Sequence, residues 1–328
     1  MDWTYSYAVV PALVIILVSF ATLYKETTTK SKVNSEEPPI EIPSGSKFLK
    51  LSSGIKIRFK DTGFEDKSLD ARSIATLLMI HGFGGCIATY SAITDLLRDK
   101  FRIVAIDMVG NGFSDKPFDF EYTFRNQGNV VMNIIEEMDL QNVILVGHSS
   151  GCIVCTSTPA SSKSERVKGA ILISPGIFQY YPPIFSYRIM RPIISFMVKS
   201  FCENRRAKLL KHHKNKEKLS TEVLKAFESI THTKNYRETM VEAMSTLEPP
   251  YQDLLKDVKI PLLFIWSDED KTNAPAEDKV KSLINDGTLN APVATVILTD
   301  SYHYIHHEQP EKVAADIMKF VESTIHLQ

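Results

Sequence analysis

Asn142-Val-Ile-Leu-Val-Gly-His-Ser-Ser-Gly151 is the stretch whose reading decides the fold. Its first half, 142–146, is a short apolar run with the character of a fully buried strand. Its second half, Gly147-His148-Ser149-Ser150-Gly151, is a small-residue turn carrying one serine between two glycines. This is the G-x-S-x-G pattern, in which a strand turns sharply into a helix and the glycines leave room for a backbone crowded around a strained nucleophile. The hydroxyl of Ser149 then projects above the sheet edge. Such pentapeptides also arise by chance, so the context matters. An amphipathic helical pattern over 129–138 precedes the apolar run, which puts the motif at a strand-to-helix junction.

Working outward from this stretch, 75–80, 102–106, 170–173 and 260–266 read as buried strands, and 295–298 as a last one. Helical patterns lie at 91–97, before Met138, after Ser149 and from Pro310 to about Ser323. Repeated β-α-β order demands a mainly parallel sheet with helices on both faces. Ahead of it, Phe48-Leu-Lys-Leu51 and Ile55-Lys-Ile-Arg-Phe59 alternate apolar and polar residues around Ser53-Gly54, the pattern of a half-exposed antiparallel hairpin. The rhythm breaks after Ser174-Pro175-Gly176. The segment up to Ile260 is largely helical in pattern and too long for an ordinary connection, so it reads as a cap over the sheet, about 176–250.

The N-terminal part has a different character. Trp3 to Tyr24 contains no charged residue, and its 22 residues as a helix span roughly 33 Å, enough for a hydrocarbon core of about 30 Å. Trp3, Tyr5, Tyr7 and Tyr24 are placed as interfacial anchors. A cleaved signal peptide is the alternative, but Met1-Asp2-Trp3-Thr4 lacks its positive region. We therefore expect a single-pass membrane anchor over 1–24. Lys25, Lys30 and Lys32 follow it, which places the bulk of the chain on the cytosolic side. Residues 25–46 read as a flexible tether, and the folded domain as 47–328.

A net charge of −1 over 328 residues gives no electrostatic case for nucleic acid. Cys86, Cys152, Cys155 and Cys202 form no disulfide framework. Cys152-x-x-Cys155 lacks a second pair to complete a metal shell, and no Asn-x-Ser/Thr sequon occurs.

A serine hydroxyl is a poor nucleophile at neutral pH, so Ser149 needs a histidine base and an acid to orient it. In a strand-elbow-helix arrangement the partners follow in the order serine, acid, histidine. Trp266-Ser-Asp-Glu-Asp270 follows one buried strand and Ser301-Tyr-His303 the last. Both stand at carboxyl ends of strands, where catalytic groups of open parallel sheets gather. The acid is left among Asp268, Glu269 and Asp270 on these grounds. The base lies among His303, His306, His307 and His148.

From Lys47 onward the chain resembles an α/β-hydrolase of the capped lipase, esterase and epoxide-hydrolase branch. His81-Gly-Phe-Gly84 is similar to its oxyanion loop, and Asp107-Met-Val-Gly-Asn-Gly-Phe-Ser-Asp-Lys-Pro117 to its next sheet-edge motif. Gly147 to Gly151 matches its elbow, and His303-Tyr-Ile-His-His-Glu-Gln-Pro310 its histidine segment. The resemblance implies an eight-stranded, mainly parallel sheet with the cap after the sixth strand. It implies the triad Ser149, Asp270 and His303, with the backbone N–H groups of Phe83 and Ser150 as oxyanion donors and neither cofactor nor metal. Three positions depart from the family: Ser267 and Tyr302 replace glycines, and Cys152 stands where a second glycine often follows the elbow. Serine rather than aspartate at the elbow implies an acyl substrate. Amides, thioesters and carbon-carbon bonds use the same triad, and a non-catalytic binding protein can keep the fold.

The cap carries one more signal. Ile193-Ile-Ser-Phe-Met-Val198 is unusually apolar, and 188–218 holds ten Lys or Arg against two Glu. Apolar beside basic suits membrane lipids and a hydrophobic acyl ester; the plain alternative is packing on the main domain with a solvated lysine face. Similarity to membrane-anchored monoacylglycerol lipases makes a monoacylglycerol the first substrate to consider. The sequence gives no oligomeric state.

Overall fold

The computed structural model describes residues 42–43, 45–63, 74–158, 165–179, 183–248 and 250–325. The expected anchor over 1–24, most of the tether, and Tyr180-Tyr181-Pro182 of the cap lie outside the described residues. Among the described residues no helix is long and apolar enough to cross a membrane.

The apolar runs become strands buried on both faces. In β3 (Thr76–Ile80), Leu78 and Ile80 join a cluster with Leu145 and Phe264, while Leu77 and Met79 face the other way with Ile144 and Ile265. Burial of both faces is the reason these strands read as continuous apolar runs rather than alternating ones. The others are β1 (Lys47–Lys50), β2 (Lys56–Asp61), β4 (Arg102–Ile106), β5 (Val143–His148), β6 (Val167–Ile173), β7 (Leu262–Ser267) and β8 (Val293–Leu298). They form one sheet in the order β1-β2-β4-β3-β5-β6-β7-β8. β2 is antiparallel to both its neighbours, and the pairs from β4 to β8 are parallel.

Helices cover both faces. α1 (Ser91–Leu97) and the closing helix pack on the cluster containing Met79, while α2 (Phe124–Glu137) and α3 (Gly151–Ser157) pack on the other. The helix expected over 129–138 starts earlier, at Phe124, because the Thr123 hydroxyl accepts the Asn126 N–H and caps it there. Between β6 and β7 lie the main cap helices, α4 (Arg191–Glu203), α5 (Arg205–Lys211), α6 (Thr221–Ser229) and α7 (Tyr236–Ser245). They have their own apolar cluster, which takes in Ile194, Phe227 and Tyr236 and reaches Cys86 and Tyr304 of the main body. α8 is Glu277–Asn285. His306 and His307 belong to a separate short helix, α9 (Ile305–Glu308), and not to the closing helix α10 (Pro310–Ile325); Pro310 has no N–H with which to continue a helix through it.

Candidate active site

At the elbow β5 ends and α3 begins, and Ser149 sits between them at φ +55°, a conformation that costs an ordinary residue about 1–3 kcal/mol. The turn is held by its surroundings: the Ser149 N–H donates to Ile173 O at 2.9 Å, and Ser149 O accepts from Cys152 and Gly176, both at 3.1 Å. The flanking glycines are required by close approach. A Cβ at Gly151 would lie 2.3 Å from Ile80 O, and one at Gly147 would lie 2.7 Å from the Cys152 nitrogen. Neither leaves room for a methyl group.

Among the three acids left open by position, Asp270 is the buried one. Asp268 is exposed, and Glu269 is drawn into an ion pair with Lys214 at 2.6 Å. Asp270, 2% exposed, accepts through Oδ2 from His303 Nδ1 at 2.8 Å and through Oδ1 from the N–H groups of Thr272 and Asn273. Burial pushes the Asp270 carboxyl upward, and these hydrogen bonds with His303 outweigh it, leaving the group below the usual carboxylate range. A proton fixed on Nδ1 leaves the lone pair on His303 Nε2. His303 and Ser149 line the same cavity, of about 270 Å³, together with Phe83 and Ser150. A larger groove of about 750 Å³ runs beside 113–120 and 233–235, but it includes none of these residues.

The other histidines have structural partners. His148 donates through Nε2 to His303 O at 3.0 Å, so it braces the His303 backbone. The Nε2 atoms of His306 and His307 each donate to Thr89 O, at 2.9 and 2.7 Å. His81 bonds Gly82 O through Nδ1 at 2.7 Å and accepts the Met108 N–H through Nε2 at 3.1 Å, which knits the 82–85 loop to the loop after β4. In that loop Asp107 accepts from Ile87, Phe113 and Arg58. Among the described residues, the N–H groups of Phe83 and Ser150 have no acceptor within the chain. No group of three or more His, Cys, Asp or Glu is placed among the described residues to hold a metal ion.

Two of the departures from the family pattern, Ser267 and Cys152, make side-chain contacts that a glycine does not, and nothing in the structure explains the side chain of Tyr302. The Ser267 hydroxyl donates to Ser301 O, tying the end of β7 to the loop before His303, which a glycine does not do. The Tyr302 N–H donates to Glu308 Oε1 at 2.7 Å. Cys152 is fully buried, with its Sγ at 3.4 Å from Ile173 O.

Sequence reasoning missed how closely the cap is joined to the site. Glu308 Oε2 accepts the N–H groups of Lys214 and Asn215 at 2.9 and 2.8 Å, and His212 Nδ1 lies 3.0 Å from the Thr272 hydroxyl. Gly84 O accepts from Arg205 at 2.7 Å and from the Tyr236 hydroxyl at 3.1 Å. In the sequence Glu308 is only part of a motif, and nothing in its spacing points to residues more than 90 positions earlier.

The chain belongs to the alpha/beta hydrolase fold family, whose sequence profile matches residues 75–310. It is therefore a member of a family of hydrolases. It is 26% identical over 259 residues to the uncharacterized hydrolase YugF of Bacillus subtilis (strain 168), covering 75% of this chain and 90% of that one. Among solved structures it resembles a thermophilic esterase from Thermogutta terrifontis, with a TM-score of 0.67 and 19% identity over 86% of this chain and 99% of the other. It also resembles the esterase EaEST from Exiguobacterium antarcticum, with a TM-score of 0.65 and 16% identity over 84% and 99%. At these identities the two structures speak for the fold.

Proposed function

We propose that the protein is a serine hydrolase that cleaves a carboxylic ester of a lipid or other hydrophobic substrate through an acyl-enzyme on Ser149, as a monoacylglycerol lipase does. The observation that carries this reading is the 2.8 Å hydrogen bond from His303 Nδ1 to the buried Asp270, made where His303 and Ser149 line one cavity. His303 Nε2 takes the Ser149 proton as the oxygen attacks the ester carbonyl. The oxyanion rests on the N–H groups of Phe83 and Ser150. His303 then protonates the leaving alcohol, and water repeats the cycle on the acyl-enzyme. Asp270 holds the imidazole in its tautomer and stabilises the imidazolium. Phe185, Phe201, Met244 and Leu247 give the cavity an apolar cap side suited to an acyl chain. The esterase names of the structural neighbours agree with this chemistry. In this reading 1–24 is the membrane anchor, 25–46 the tether and 47–328 the cytosolic catalytic domain with its cap at about 176–250.

The test is a panel of esters that includes monoacylglycerols of several chain lengths, run beside labelling with a fluorophosphonate. Wild type is expected to hydrolyse esters and take the label. Ser149→Ala should take none and lose at least about 10³-fold in kcat. Equal activity in the two proteins overturns the assignment.

A further inference from the structure

The cavity that holds Ser149 and His303 is lined on its cap side by two cations and, among the described residues, by no carboxylate. Arg205 and Lys208 stand three residues apart on α5, so they share one face of that helix. Arg205 is 5% exposed. Its guanidinium lies 4.4 Å from the ring centre of Phe201 and 4.8 Å from that of Phe227, and its hydrogen-bond partners are neutral, the carbonyl of Gly84 at 2.7 Å and the hydroxyl of Tyr304. Its Nε is buried with no hydrogen-bond partner, and among the described residues no carboxylate is placed in an ion pair with it. Nearby carboxylates are engaged elsewhere: Asp107 by Arg58 at 3.2 Å, Glu228 by Arg206 at 3.8 Å and Glu203 by Lys199 at 3.8 Å.

Burying a charge without a counter-charge costs several kcal/mol, and two aromatic faces with neutral hydrogen-bond partners return only part of that. Guanidinium matches the oxygens of phosphate and carboxylate with two parallel donors, and a lysine beside it adds a mobile point charge. An apolar cavity wall carrying such a pair has the character of an anion subsite next to a reacting centre.

We propose that Arg205 and Lys208 form an anion-binding subsite in the wall of the Ser149 cavity, and that the ester cleaved there carries a phosphate or carboxylate group near its acyl bond. This rests on the serine-hydrolase reading and narrows its substrate class. The acyl chain takes the apolar side formed by Phe185, Met244 and Leu247, and the anion the α5 side.

The experiment compares three dodecanoyl esters, of glycerol, of glycerol 3-phosphate and of glycerate, on the full-length protein, Arg205→Gln and Lys208→Gln. Fluorophosphonate labelling of Ser149 is followed in parallel. Wild type is expected to favour the phosphate or the glycerate ester over the neutral one by about tenfold or more in kcat/KM, and the stronger of the two identifies the anion. Each variant should collapse that ratio towards one, chiefly through KM. Arg205 is buried and packs on two rings, so Lys208→Gln, at a half-buried position whose ammonium lies 5.3 Å from the Phe201 ring centre alone, keeps the test valid should Arg205→Gln fold poorly. A wild-type ratio near one, or a ratio that Lys208→Gln leaves in place, overturns the subsite while labelling of Ser149 continues. Loss of labelling in wild type overturns the hydrolase reading instead.

Discussion

At the residue scale, burial separates three acids that lie next to one another in sequence. Asp268 faces water and Glu269 holds Lys214, whereas Asp270 receives the His303 N–H and two backbone N–H groups at once. A carboxylate that orients a base is worth about 10³–10⁴ in kcat, because its amide isostere favours the wrong tautomer. Asp270→Asn is therefore expected to lower kcat by about that factor with the fold intact, and Asp268→Asn to stay within about twofold of wild type. Steady-state kinetics on both variants check this, and comparable losses in the two would remove Asp270 from its role. The glycines at 147 and 151 could be read from sequence, because a motif names positions where a Cβ cannot fit. The reach of the Ser267 hydroxyl to Ser301 could not, since a serine in place of a glycine carries no sign of its partner.

At the scale of elements, α9, the segment after α5 and the loop before α1 meet in a knot of imidazoles. His213 Nδ1 lies 2.8 Å from Leu209 O, and its Nε2 lies 3.1 Å from His307 Nδ1. His213 stacks on Tyr304 with ring centres 4.8 Å apart. Burial, first among the causes, pushes His212 and His213 down to about 4 and His307 down to about 3. It holds His148 and His306 well below the usual histidine value. In the unfolded chain these rings take up protons near pH 6.5. Between about 6.5 and 4 the unfolded state therefore binds more protons than the folded one, and stability must fall as the pH falls through that window. Each ring contributes up to about 1.4 kcal/mol per pH unit there. The urea midpoint is expected to drop markedly from pH 7 to pH 5, and His213→Gln to flatten the dependence. A midpoint level across that range would contradict the neutral, buried state of these rings. The histidine pattern after His303 was visible in the sequence; its packing against His213 and Thr89 depends on chain crossings that periodicity does not encode.

At the scale of the whole molecule, the cap shows a mixed surface. Ile194 and Val198 of α4 are buried against the cap's own cluster, while Phe196 and Met197 on the same helix are exposed, as are Ile184, Tyr187 and Ile189 just before it. The basic excess over 188–218 is partly consumed by ion pairs of Arg191 with Glu242 at 2.7 Å and of Lys214 with Asp300 at 2.9 Å. Part of this stretch therefore packs inward, and part of it presents an apolar surface outward. The anchor reading of 1–24 predicts that the full-length chain floats with anionic lipid vesicles in a density gradient. A chain without residues 1–41 should stay largely in the dense fractions at physiological salt, where the remaining basic surface is screened. A full-length protein that does not float contradicts the anchor.

The sequence by itself determined the sheet, because runs such as Thr76–Ile80 and Val143–His148 are apolar on both faces and only a covered parallel sheet buries both. It also determined the elbow, whose glycines answer to contacts within a few residues of chain or with the neighbouring strand. What only the tertiary structure decided is everything set by segments distant in sequence. That includes the hydrogen bond that joins Asp270 to His303, the bracing of His303 by His148, the hold of Glu308 on 214–215, and the burial of Arg205 in the cavity wall with no carboxylate among the described residues paired to it. Local pattern reports which face of an element is buried. It carries no record of which distant side chain arrives there, because burial and charge balance are properties of the assembled fold.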